Sequence, residues 1–154
     1  MKKIMMLLLL GFTSLSFASA DNVLFFQSSS DGVIAKSGKN TYSLTLKANS
    51  GYVSYFTDRP VRKAGTVSLQ KFISMWNDKK IKPNFAESAP NVAINLVSQQ
   101  GKNQNAVVEV SNPTYADNTV TYQLSMIDKK PLLEGNLKHV VLFFDDIHWN
   151  PGGF

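Results

Sequence analysis

The sequence predicts a mainly β, single-domain protein: an antiparallel β-sandwich of seven or eight strands with one short α-helix, or a closed β-barrel made of the same strands. Three observations predict it. Apolar and polar residues alternate with a period of two along most of the chain, short polar turns separate those runs, and only one segment carries a helical period.

Residues 1–20 stand apart from this pattern. Lys2 and Lys3 precede an unbroken apolar run from Ile4 to Leu10, and Ala18-Ser19-Ala20 supplies small residues at a cleavage position. These are the parts of a secretory signal peptide, and the apolar run is too short for a membrane anchor. The mature domain then runs over residues 21–154. Removing the two signal lysines lowers the formal net charge from +5 to +3. There are no cysteines, so no disulfide, thiolate nucleophile or lipobox is present, and the exported domain is held by burial alone. The expected location is periplasmic or extracellular, and the protein is not a lipoprotein.

The strands follow in order. Val23–Gln27 and Gly32–Lys36 are the first two candidates. Tyr42, Leu44 and Leu46 then alternate with Ser43, Thr45 and Lys47, and Tyr52–Thr57 follows. Ser37–Asn40 and Asn49–Gly51 are turn sequences that suit hairpins. The helix comes next: Leu69, Phe72, Ile73 and Trp76 fall at i, i+3, i+4 and i+7. Ser68 is placed to cap its N-terminus, and the helix is expected to end near Asp78, before Pro83. Val92–Val97 is the next strand. Ala106, Val108 and Val110 share one face of another, and Val120, Tyr122, Leu124 and Met126 share one face of a third. Gln99–Gln104 and Asn112–Asn118 are expected as the loops between them. The run from Lys138 to Phe144 is apolar on both faces and reads as a central strand. No internal repeat or low-complexity linker divides the chain.

Tyr52–Gly65, YVSYFTDRPVRKAG, holds both arginines of the chain, Arg59 and Arg62. Arginine presents a planar fork that suits carboxylate, phosphate or backbone carbonyl, where lysine is a point charge. Pro60 biases Arg59 toward an extended backbone. Two roles stand for the pair. Asp58 and Arg59 can lock a corner between a strand and the helix by bonding loop carbonyls. Alternatively Asp58, Arg59, Arg62 and Lys63 form a binding loop for an anion or a protein partner.

The run FTDRPVRKAG, followed by KFISMWND, PNVAINL, VVEVSNP and VVLFFDD, resembles a family of small exported bacterial proteins of unknown function. They share the motif F-[ST]-D-R-P-x-R-x-x-G, here Phe56 to Gly65. The resemblance covers about Tyr52 to Asp145, with Val92 where the family pattern has alanine. It implies export, one compact domain and secretion-system cargo as a role, and it names no activity.

Other constellations are weaker. On an extended strand end, Asp146 and His148 share a face and are weak metal candidates. The second histidine, His139, lies about 30 Å from His148 at ~3.3 Å per residue, and zinc usually takes three protein groups. Asp145 and Asp146 are neighbours and point to opposite faces of a strand. There is no G-x-S-x-G, phosphate loop or dinucleotide fingerprint. The tail from Trp149 to Phe154 places two aromatics around Pro-Gly-Gly. It reads as a flexible end, or as an aromatic anchor for a membrane interface or a protein groove.

These observations lead to an exported, non-enzymatic binding protein with no cofactor. Its partner is a protein, glycan or lipid outside the cytoplasm. Candidate contacts are Asp58, Arg59, Arg62, Lys63, Trp149 and Phe154. The alternatives are a membrane-surface protein using its basic charge and aromatic tail, and a hydrolase whose site is not recognisable. Peripheral membrane contact fits the charge. No further run is long enough for a transmembrane helix, and no basic cluster interleaved with aromatics points to nucleic acid.

Overall fold

The computed structural model describes residues 21–48, 50–57, 62–128 and 130–149, the side chains of Asp21 and of 146–149 excepted. Among the described residues the fold has nine strands and one short helix: β1 (Asp21–Ser29), β2 (Gly32–Lys36), β3 (Thr41–Lys47), β4 (Tyr52–Thr57), β5 (Ala64–Ser68), α1 (Leu69–Ser74), β6 (Asn91–Ser98), β7 (Asn103–Ala116), β8 (Thr119–Met126) and β9 (Gly135–Trp149). A single 3-10 turn, Met75–Asn77, extends α1.

Six strands close into an antiparallel barrel in the order β2-β3-β8-β7-β6-β9. The closing contact pairs Gly32, Val33 and Ile34 with Leu137, Asn136 and Gly135. The barrel is thus the architecture adopted, and the sandwich is not. β9 is longer than the barrel needs. Past Val140 its free edge pairs with β1, which in turn pairs with β4, and β4 with β5. The sheet therefore continues outward from the barrel seam as a three-stranded extension.

The corner between β1 and β2 makes both structures from one run of chain. Ser29 Oγ lies 2.6 Å from the Asp31 carbonyl oxygen and 2.8 Å from that of Lys47, and the Lys47 N–H donates to the Asp31 carbonyl. Gly32 follows, packed against the neighbouring strand. A Cβ there would sit 2.8 Å from Leu46 Cδ2 and 3.0 Å from the Thr45 carbonyl oxygen.

Alternation decides which side chains face inward. Tyr42, Leu44, Leu46, Val108, Val110, Val120, Tyr122 and Leu124 are all buried, as their spacing predicts. Ser68 caps α1 by accepting from the Lys71 N–H at 3.2 Å. The apolar stripe of the helix then seals the core with rings. Phe72 lies 4.9 Å from Phe25 and 5.0 Å from Phe144, and Trp76 lies 4.8 Å from Phe85. The chain after the helix is held by the Ala86 N–H, which donates to the Trp76 carbonyl.

Four expectations are corrected. Ala64–Ser68 is a strand, so the arginine segment leads into β5 and not directly into the helix. β3 and β4 are not neighbours, because the chain leaves the barrel for the sheet extension between them. The segment expected as a loop from Asn112 is mostly strand. β7 passes a bulge between Ser111 and Thr114 and turns only at Asp117-Asn118, both at positive φ, as a two-residue type I′ hairpin requires. β9 is hydrogen-bonded on both edges but not covered on both faces, since Phe143 is 50% exposed.

Two predictions follow from this packing. Gly32→Ala destabilises the protein by ~1–3 kcal/mol through overpacking against a backbone carbonyl, read as a lower urea midpoint. Tyr122 is fully buried and donates to Gln27 Oε1 at 2.6 Å, and burial pushes its phenol far above the ordinary range. The unfolded chain ionises this group near pH ~10 while the folded chain keeps the proton. The contribution is full below that pH and is lost as pH rises above it. A Tm series into the alkaline range shows this slope, and Tyr122→Phe flattens it.

Candidate functional site

Strand register brings Arg62 and Lys63, next to Thr57, to the same end of the sheet as the backbone of Trp149. Val23 pairs with Thr57 on one side and Ile147 on the other. The tip of the β4–β5 hairpin and the last residues of β9 therefore flank the same position of β1, two strand spacings or ~10 Å apart. The arginine segment and the C-terminal strand end, separated by almost ninety positions in sequence, belong to one surface.

Local bonding explains the hairpin. The Thr57 N–H donates to the Lys63 carbonyl at 2.9 Å, and the Lys63 N–H donates to Thr57 Oγ1 at 2.9 Å. These two bonds close the loop on the β4–β5 ladder. Arg62 and Lys63 are exposed beside them. The corner expected between strand and helix is a hairpin tip, with the five residues of β5 between it and α1. Asp58 and Arg59 lie outside the described residues, as does Phe154.

The C-terminal candidates are placed by backbone alone. β9 extends to Trp149, which pairs with Asp21, and His148 pairs with Asn22. A register shift falls between Phe144 and Ile147, so the strand is bulged at 145–146. The side chains of Asp146, His148 and Trp149 lie outside the described residues. His139 is exposed on β9 opposite Val97. Among the described residues no three His, Asp or Glu side chains group closely enough to hold a metal ion.

A second feature of this surface was not singled out from sequence. Phe26 pairs with Phe143, Phe143 with Ala93, and Ala93 with Val107. These residues form one row on the outer face, crossing β1, β9, β6 and β7. The rings of Phe26 and Phe143 meet at 5.1 Å. Phe143 and Val107 are each 50% exposed, and Phe56, on β4 near the basic tip, is 48% exposed. From β4 to β7 the apolar band spans four strand spacings, ~19 Å. The sequence signal was the double-sided apolar character of Val23–Phe26 and Val140–Phe144, which full burial would also produce. The core is already complete on the inner face, so this outer row is not needed to fill it.

The electrostatics of the site are simple. Arg62 forms no ion pair with a described residue, and the one ion pair among them joins Lys47 to Asp31, at the β1–β2 corner. Arg62→Ala is therefore expected to change stability by less than ~0.5 kcal/mol, checked by thermal unfolding. A larger loss would return the arginine to a structural role. No protein-family model matches the chain, and no curated protein or solved structure is significantly similar to it.

Proposed function

We propose that the chain is an exported, non-enzymatic binding protein that docks a protein partner on the outer face of its sheet. The observation that carries this reading is the outward-facing row Phe26–Phe143–Ala93–Val107, half-buried at Phe26 and exposed at the other three, with Phe56 exposed on the same face of β4 opposite Leu24. An exposed apolar band on a domain with a full core marks an interaction surface. Sheet faces are flat, which suits a protein surface better than a small molecule. Arg62 and Lys63 at one end supply contacts to acidic groups of the partner and fix its orientation. Export rests on the signal sequence, and secretion-system cargo is a role consistent with it.

Exposed aromatics beside basic residues also favour a membrane surface. Tyr52, Phe56 and Phe143 are exposed together with Arg62 and Lys63, so vesicles form the second arm of the test.

The test uses mature protein from Asp21 beside Phe143→Ala and Arg62→Ala/Lys63→Ala variants matched for Tm. Each is used as bait in envelope and host-type extracts. A protein recovered by the unaltered chain, lost with Phe143→Ala and weakened by the double variant supports the proposal. Equal recovery by all three baits overturns it. Binding to anionic vesicles that falls with salt, with no protein recovered, replaces it with the membrane reading.

A further inference from the structure

The outer face is complementary to itself. On it six strands lie side by side in the order β5-β4-β1-β9-β6-β7. The midpoint of that order falls between β1 and β9, where the rings of Phe26 and Phe143 meet at 5.1 Å. Charge and shape are both divided about this midpoint.

Charge comes first. Ala64 pairs with Phe56 and Phe56 with Leu24, while on the other side of the midpoint Asn91 pairs with Glu109. These residues lie two positions, ~7 Å, to the same side of the Phe26–Phe143–Ala93–Val107 row. The basic end lies just past Ala64, at Arg62, and the acidic end is Glu109 on β7. Arg62 and Glu109 are both exposed, and neither forms an ion pair with a described residue. Opposite charges thus stand at the two ends of the band, at similar distances from its centre.

Shape follows the same division. Tyr52 is 59% exposed and lies two residues beyond Ser54, which pairs with Phe26. This places it on the other side of the row from Phe56. Across the midpoint at that level, Asn95 pairs with Asn105, and these two with Ala93, Val107, Phe143 and Asp128 line a shallow, mostly apolar hollow. One half of the face therefore offers a projecting ring and a cation, and the other half a hollow and carboxylates.

We infer that the outer face pairs with the outer face of a second copy of this chain in a two-fold symmetric dimer. The inference rests on the reading of that face as a docking surface and names its occupant. A two-fold axis parallel to the strands, passing between β1 and β9 in the plane of contact, exchanges the two halves. It sets Phe26 of each copy against Phe143 of the other, lays Tyr52 over the hollow and brings Arg62 beside Glu109. Each contact occurs twice, as an isologous interface requires. The stacked sheets are then nearly aligned, which is an ordinary way for sheet faces to pack. A foreign partner has no need of matching halves, whereas a second copy does.

The size of the face sets the strength of the dimer. Six strands and three rows of side chains cover ~24 Å by ~20 Å, so the pair buries roughly 1,000 Å² in all, at the low end for specific contacts. The dimer is accordingly weak and reversible, with a Kd of ~10–100 μM.

The experiment is sedimentation of the mature chain from Asp21, from about 1 to about 500 μM. A monomer–dimer equilibrium is expected, weakened by salt. Phe143→Ala and Tyr52→Ala, checked for unchanged Tm, reduce association at least about tenfold. Arg62→Glu and Glu109→Arg are each weakened about tenfold by like charges. The two charge variants mixed together associate again, because each then meets the opposite charge at both ends. A chain carrying both reversals also recovers the dimer. A monomer at every concentration overturns the inference, as does a dimer indifferent to Phe143→Ala or a mixture of charge variants that stays monomeric. A monomer that still captures a foreign protein through Phe143 overturns the dimer and leaves the docking face standing; one that captures nothing overturns both.

Discussion

Everything in this fold hangs on β9, a fifteen-residue strand whose middle is paired on both edges and whose ends extend to different partners. On one edge it carries β6. On the other it carries β2 for three pairs and then β1 for the rest. The first contact closes the barrel and removes an edge that would otherwise template pairing with another chain. The second launches β1, β4 and β5 away from the barrel. Both depend on the corner at Ser29–Gly32, where the chain changes from β9's outer partner to its closing partner. Gly32 is required because the two strands meet there with no room for a side chain.

The sheet extension creates a large inner surface that the barrel strands alone cannot cover. α1 answers that need with Phe72 and Trp76, whose rings bridge β1, β8 and β9 through Phe25, Tyr122 and Phe144. Aromatic pairs at these separations add packing beyond their buried area, which matters in a domain with no disulfide. A six-residue helix has little stability of its own, so its geometry is dictated by these rings and by the Ser68 cap.

Much of this was legible in the sequence. Strands with one wet face announced themselves by alternation, and their inward residues, such as Tyr42-Leu44-Leu46, were identified correctly. The helix was legible because Leu69, Phe72, Ile73 and Trp76 admit no strand period. Closure was not legible, since a strand that completes a barrel has the same local pattern as one that ends a sandwich sheet. β5 was missed because Ala64-Gly65-Thr66-Val67-Ser68 holds one buried apolar residue, Val67. The Asn112–Asn118 segment read as a loop because Asn-Pro is a breaker, yet the strand absorbs it as a bulge and resumes. The candidate surface was half legible. The basic segment stood out by composition, whereas the exposed row on β1, β9, β6 and β7 resembles core in any one-dimensional reading and becomes visible only through register.

The same mismatch of strand lengths explains why a cleft exists between α1 and β7. β7 has fourteen residues and β6 only eight. The β6 ladder on β7 ends at Asn91 opposite Glu109, and one further bond, from the Val110 N–H to the Pro90 carbonyl, marks where β6 has run out. Beyond it, the edge of β7 has no strand neighbour on that side among the described residues. Extending β6 would have covered that edge with a ladder and left no space. Instead α1 approaches it with side chains, and β7 bulges where the two meet. A helix cannot satisfy a strand edge with backbone hydrogen bonds as another strand can. The junction therefore keeps an open cleft lined by apolar and polar residues in similar measure, beside the buried, unpartnered Trp76 N–H.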